Sequence, residues 1–235
     1  MVKLPTFFKY ICNMAKLIII PTPIGNLEDI TLRSIRMIEE VDLLLAEDTR
    51  QTGKLLKHLE LSVKMQAYHL NNEHQLTEQI VERIRGGENI GLVSDAGTPG
   101  ISDPGFLLVR ECVDQGVEVE CLPGATALIP AVVASGFPCD KFHFEGFLPH
   151  KKGKQTRLKY LAELPTTVVF YESPHRLVKS LTMMIDIFGA DREIVVVREI
   201  TKMFEEHKRG PLSDVLSYFD SKPVKGEIVV VVKEK

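Results

Sequence analysis

The chain of 235 residues is short of the features that assign a function quickly. Its four cysteines, Cys12, Cys112, Cys121 and Cys139, form no CxxC pair and no metal spacing with the scattered histidines. That excludes a sequence-evident zinc site or disulfide framework and leaves reduced, buried thiols of a cytoplasmic protein as the reading. No run is apolar for long enough to cross a bilayer, so no membrane partner is expected. A net charge of −3 excludes a broadly basic nucleic-acid binder, though not a local basic patch. The familiar catalytic loops are absent too. There is no GxxxxGK followed by Ser or Thr, no GxGxxG after the first strand, no GxSxG and no HExxH. A P-loop NTPase, a dinucleotide fold, the common Rossmann-type methyltransferase and a metal enzyme all lose their usual support.

What is present is an alternation of strands and helices. "KLIII" (16–20), "VDLLLAE" (41–47), "KMQAYH" (64–69), "NIGLVS" (89–94) and "VEVECL" (117–122) read as five strands, with helices near 27–40, 49–58, 73–85, 104–115 and 125–135. That order predicts βαβ units and a mostly parallel five-stranded sheet. "FHFEGF" (142–147), "TTVVFYES" (166–173), "REIVVVRE" (192–199) and "GEIVVVVK" (226–233) predict a second, mixed sheet with helices between. The expected organisation is two α/β domains, 16–124 and 125–235, joined at "PGATA". Residues 1–15, with the leader "MVKLPTFFKYICN" before Met14, are expected to be an extension or an upstream start, since the broken apolar run is a poor signal peptide.

Three loops on the expected carboxyl edge of the first sheet share a composition. "PTPIGN" (21–26), "DAGTPGIS" (95–102) and "PGATA" (123–127) are built from glycine, proline and small residues. Glycine lets backbone approach a ligand, proline stiffens the loop, and that edge of a parallel sheet is where ligands bind. Asp103 and Pro104 are expected to start the helix after the middle loop, and Gly116 to end it. The loops carry one acid, Asp95, and no lysine or arginine. A ligand with ribose hydroxyls or positive charge fits better than a bare polyphosphate, and S-adenosylmethionine has both.

"PTPIGNLEDIT" (21–31), "AEDTR" (46–50), "VSDAGTPGISDPG" (93–105), "PGATA", "FEGFLP" (144–149), "FYESPHR" (170–176), "REITK" (198–202) and "GEIVVVV" span nearly the whole chain. Together they resemble the tetrapyrrole-methylase (class III) family of S-adenosylmethionine-dependent methyltransferases. Within it they are similar to the branch that methylates a cytidine ribose 2′-hydroxyl in small-subunit (16S) ribosomal RNA. The resemblance implies a tetrapyrrole-methylase-like pair of α/β domains with the cofactor in the cleft between them, and a homodimer acting on RNA of the small subunit, in its assembled form. It also places cofactor contacts at Pro23, Ile24 and Gly25, at Asp95, Gly97 and Thr98, at Gly124, Thr126 and Ala127, and at Tyr171 and Gly226. One departure stands out: Phe204 occupies a position where the branch leads one to expect a His or Tyr.

Transfer to a ribose hydroxyl needs a group that takes its proton. "EDTR" offers Glu47 and Asp48, paired acids able to raise one another's pKa, although Asp48 is equally suited to cap the next helix. Arg50 suits a phosphate or the acid pair. "REITK" offers Glu199 and Lys202, the lysine as a base, as a phosphate grip or as half of a surface ion pair. "FYESPHR" offers Glu172, His175 and Arg176 for positioning. "YHLNNEH" (68–74) brings His69 and Asn72 towards RNA or merely forms a polar turn. "KKGKQTRLK" (151–159), with Lys151, Lys152 and Lys154, reads as a basic patch for phosphates or as a solvated helix start. Two other readings stay open: a corrinoid or other small-molecule methyltransferase on the same scaffold, and a ribosome-assembly factor that keeps the pocket without turnover.

Overall fold

The computed structural model describes residues 15–150 and 152–235. They fall into two compact units. One is formed by the described residues up to Thr22 with Ile30–Gly124, the other by Pro23–Asp29 with Ala125–Lys235. The short segment 23–29 therefore leaves the first unit although it follows its first strand. The expected extension 1–15 and the leader before Met14 lie almost wholly outside the described residues.

The first unit is built on β1 (Lys16–Ile19), β2 (Leu43–Ala46), β3 (Met65–Ala67), β4 (Ile90–Val93) and β5 (Glu118–Cys121). They pair in the order β3-β2-β4-β1-β5, every pairing parallel. Helices α1 (Leu32–Glu40), α2 (Thr49–His58), α3 (Glu73–Arg85) and α4 (Phe106–Asp114) cover both faces. The period of two along β1 decides which face sees which helix. Leu17 and Ile19 pack with Ile80 and Ile84 of α3 and Leu108 and Cys112 of α4. Ile18 and Ile20 pack with Met37 and Ile38 of α1 and Leu56 of α2. Strands buried on both sides read as unbroken apolar runs, as "KLIII" does.

Connections from β1 lead towards β2, and those from β4 towards β5, so the two central strands send their chains in opposite directions. In open α/β sheets ligands bind at such a reversal, outside the carboxyl ends of the strands.

The second unit holds β6 (Phe142–Phe147), β7 (Thr167–Glu172), β8 (Glu193–Arg198), β9 (Glu206–Pro211) and β10 (Ile228–Val232), in the order β6-β7-β10-β8-β9. Only β6 and β7 run parallel, so the sheet is mixed. Central β10 puts Ile228, Val230 and Val232 against α6 (Lys154–Ala162), α7 (Leu177–Phe188) and α8 (Leu212–Asp220). Its Val229 and Val231 meet α5 (Leu128–Ser135). Each such side chain contributes about 1.5–3 kcal/mol.

Two expectations are corrected. The helix predicted over 27–40 is broken: a short 3-10 turn spans Leu27–Asp29, and Thr31 caps α1 by accepting from Ser34 N at 2.9 Å. The helix after the middle loop begins at Phe106, with Gly105 at φ +132° as its cap in place of Asp103. A Cβ on Gly105 would lie 2.8 Å from Leu92 Cδ2, so the bend sits too close over β4 for a capping side chain.

Candidate active site

The rim of the first sheet is assembled by backbone. Thr22 and Gly97 form an antiparallel bridge between the loops that leave β1 and β4. The Thr22 hydroxyl adds a bond to Ser94 O at 3.0 Å. The loop after β5 joins from the other side, because a Cβ on Gly124 would fall 2.5 Å from Pro21 Cβ. Gly97 and Gly100 take φ of +79° and +86°, which folds the Asp95–Ser102 loop back on itself. Pro21 and Thr22, Gly97, and Gly124, drawn from the three small-residue loops, are thus packed at one edge of the first sheet.

Acids gather beside this rim, where β2 and β4 end as neighbours. Asp48 N donates to Asp95 Oδ1 at 3.2 Å, and Asp95 N to Glu47 Oε2 at 3.4 Å. The adjacent pair Glu47 and Asp48 is driven apart in acidity. Arg50 grips both oxygens of Asp48, Nε at 3.0 Å and Nη2 at 2.7 Å, while its amide donates at 2.8 Å. These bonds hold the Asp48 carboxyl down at about 2. Burial pushes Glu47 up, opposed by the Asp95 amide and aided by the Asp95 charge. Burial also raises Asp95, against the bond from the Asp48 amide. The two neighbouring carboxyls are thus separated in acidity, Asp48 held ionised by Arg50 and Glu47 made the more basic by burial.

Asp48 is the cap of α2, and Arg50 is engaged by it within the same turn. Asn72 is occupied locally, accepting from His69 N at 2.8 Å and donating to Ala67 O at 3.1 Å. Among the described residues, His69 Nδ1 is buried without a hydrogen-bond partner.

In the second unit the "REITK" turn is tightly tied. Glu199 Oε1 accepts from Lys202 Nζ at 3.0 Å and from Glu227 N at 2.9 Å, and Lys202 reaches Glu227 Oε2 at 3.1 Å. Burial alone would raise Glu199, but the Glu227 amide and Lys202 hold it below its usual range. Burial alone would lower Lys202, but its two acids raise it. An ammonium so held is a poor base. Gly25 and Gly226 are required by this packing: a methyl at the first would overlap the Lys202 side chain, and at the second the Glu199 side chain. Pro23 and Ile24 are half-buried next to Gly25, and Ala127 precedes α5 as its cap residue with Thr126 before it. Tyr171 stands edge-on to Phe144 at 5.1 Å and tilted to Phe147 at 5.5 Å.

Lys154 is not part of an exposed basic patch. Lys154 is buried, with Nζ 3.2 Å from Glu172 Oε2 and 2.5 Å from Ser180 Oγ. Arg176 Nη2 takes the other oxygen of Glu172 at 2.8 Å. Lys154, Glu172 and Arg176 are therefore an internal ion network rather than a phosphate surface. Its fourth member, Ser180, is missed by sequence reading although it follows Arg176 by one helical turn. Lys152 and His175 are exposed, and Lys151 lies outside the described residues. Thr22 is the rim's other overlooked residue, hidden among the prolines of its loop. No group of acids, histidines or cysteines able to hold a metal is found among the described residues.

A parallel sheet with a glycine-and-acid rim, joined to a mixed second sheet, defines a two-domain α/β methylase. The chain belongs to the tetrapyrrole (corrin/porphyrin) methylases, whose family model matches residues 16–216. A Vibrio cholerae protein named ribosomal RNA small subunit methyltransferase I is 48% identical over 219 residues, covering 92% of this chain and 76% of that protein. Its namesake from Thermotoga maritima is 46% identical over 222 residues, 94% of this chain and 100% of the relative. Among solved structures, a diphthine synthase superposes with a TM-score of 0.71 at 12% identity, over 93% of this chain and 90% of that one. A Thermus thermophilus uroporphyrin-III C-methyltransferase complexed with S-adenyl homocysteine gives 0.63 at 18%, over 94% and 98%. At such identities these two share the fold alone.

Proposed function

We propose that this protein transfers a methyl group from S-adenosylmethionine to the ribose 2′-hydroxyl of a cytidine in 16S ribosomal RNA. The observation that carries the reading is the clasped rim of Thr22, Gly97 and Gly124 beside Glu47 and Asp95, in a chain whose relatives are named small-subunit RNA methyltransferases. The rim suits the donor. Backbone amides and carbonyls meet its polar groups, and Asp95 answers ribose hydroxyls or the sulfonium charge. When bound, the donor supplies an activated methyl group on sulfur.

The chain's own residues do the rest. Glu47 is the proton acceptor for the attacking hydroxyl, because burial raises its basicity while Asp48 is held as fixed charge by Arg50. Gly97 and Thr98 seat the donor in the first unit. Glu199 and Lys202 act as one charged element, Lys202 holding RNA backbone rather than taking a proton. Lys152 and His175, both exposed, remain available to RNA. The protein is proposed to act as a homodimer in the cytoplasm, on the assembled small subunit.

Incubation with labelled S-adenosylmethionine and small ribosomal subunits tests this. Label at one ribose of 16S RNA is the expected result. Label on a tetrapyrrole alone makes it a small-molecule methylase, and binding without transfer makes it an assembly factor; either overturns the proposal.

A further inference from the structure

The turn after β8 presents an inversion of ordinary surface chemistry. Its polar groups are tied to one another. Thr201 N donates to Glu205 Oε2 at 2.6 Å, the Thr201 hydroxyl donates to Asp29 Oδ2 at 2.6 Å, and His207 Nε2 meets Glu205 Oε1 at 2.7 Å. Lys202 N and Glu205 N close the turn on Glu199 O and Lys202 O, each at 3.0 Å. Glu199 and Thr201 take φ of +53° and +64°, a region that a β-branched residue enters only at a cost. The strain and the ties serve to hold out Met203, 91% exposed, and Phe204, 67% exposed. Two large apolar side chains, adjacent in sequence, thus stand side by side in solvent at the tip of one constrained turn.

We infer that Met203 and Phe204 form a stacking platform for an unpaired base of the RNA substrate. The inference rests on the RNA methyltransferase reading above and adds a contact to it. A flat ring beside a polarizable thioether offers contact without hydrogen bonds, which matches the face of a splayed base. Two side chains cannot cover what a stable protein interface needs, on the order of 1,200 Å² or more in total, so a second copy of this chain is the poorer occupant. Met203 and Phe204 carry no charge themselves, and the neighbouring Lys202 and His207 are hydrogen-bonded to the turn's own acids. The platform therefore acts through stacking and not through charge.

The test compares the wild-type protein with Phe204→Ala, Phe204→Trp and Met203→Ala. It uses binding to small ribosomal subunits across a salt series, methyl transfer, and calorimetric binding of S-adenosylmethionine as the check on folding. Phe204→Ala is expected to weaken subunit binding and lower kcat/KM by about ten- to hundredfold. The fall is expected mainly through KM, with donor affinity and the slope of log K against log salt unchanged. Phe204→Trp is expected to retain binding. Wild-type behaviour of Phe204→Ala overturns the inference, as does a loss accompanied by a changed molar mass in light scattering, which makes the tip a self-association surface. A wild-type protein that binds subunits through Phe204 yet transfers no methyl keeps the platform and overturns the activity.

Discussion

Thr22 and Gly97 exchange both of their backbone hydrogen bonds, Thr22 N to Gly97 O at 2.9 Å and Gly97 N to Thr22 O at 3.0 Å. Two loops more than seventy residues apart in sequence are thereby made one rigid edge (the Thr22 hydroxyl bond to Ser94 O spans 72). Preformed edges bind without first ordering themselves, which saves the entropy that mobile loops lose.

Gly97→Ala probes that edge. At φ +79° an added Cβ costs about 1–2 kcal/mol, and the strain falls on the bridge itself. Donor affinity is expected to drop by about tenfold in calorimetry. Thr22→Val removes only the hydroxyl bond, costs about 1 kcal/mol of stability and leaves affinity near wild type. Equal donor affinity in Gly97→Ala and wild type would show that the edge does not seat the donor.

Glu47→Gln separates the two neighbouring acids. It is expected to lower kcat by about 10²–10⁴-fold with unchanged donor affinity, while Asp48→Asn loses far less. The base works only when ionised, and burial raises its pKa. The acid limb of the wild-type pH–rate profile is therefore expected at higher pH than an ordinary carboxylate gives, and it disappears in Glu47→Gln. A Glu47→Gln enzyme with the wild-type profile moves the proton acceptor elsewhere.

Lys154→Met breaks the buried network by leaving Glu172 without its ammonium partner. Arg176 still pairs with Glu172, so the expected cost in urea unfolding is about 1–3 kcal/mol, below that of a wholly uncompensated buried charge. Unchanged stability with weakened subunit binding would return Lys154 to the phosphate-gripping role that its sequence neighbours suggest.

How far these features are visible in the sequence depends on whether they are local. Strands β1, β2, β4 and β10 are legible because both faces are covered, so each is a short apolar run. Strand β9, "EHKRGP", is not. It is an edge strand with little apolar pattern, paired only with β8. The rim loops are recognisable by glycine and proline, but the bridge that joins them is tertiary and leaves no spacing to read. Lys154 misleads for the same reason. A lysine among lysines looks solvated until the fold brings Glu172 and Ser180 beneath it. The capping role of Asp48 could be read in advance, since it needs only the residues that follow.

Glu206 gives a pH test of stability that is independent of the rim. Burial alone would raise its carboxyl, but the Tyr218 hydroxyl, Lys222 and Arg198 hold it at about 2, against 4.5 for a free group. A depressed carboxyl stabilises the fold above the unfolded pKa and loses that contribution as pH falls towards the folded one. The stability difference between wild type and Glu206→Gln is thus expected to be full above pH 4.5 and to shrink towards pH 2, measured by urea unfolding across that window. A difference that stays constant over the window means the carboxyl is not held by these partners.

Gly226→Ala is expected to fail in two ways at once, which makes it a test of the whole "REITK" turn. At φ +89° any side chain is strained by about 1–3 kcal/mol, and here the added methyl also meets the Glu199 side chain. Displacing Glu199 removes its bonds to Glu227 N and to Lys202, so the ammonium loses one of its two partners. Melting temperature and methyl transfer should therefore fall together in Gly226→Ala. Lys202→Met, by contrast, should lose RNA affinity with a smaller stability change, because its stem still packs over Gly25. If Gly226→Ala melts like wild type, Glu199 is free to move aside, and the turn is not the rigid support that holds Lys202 in place.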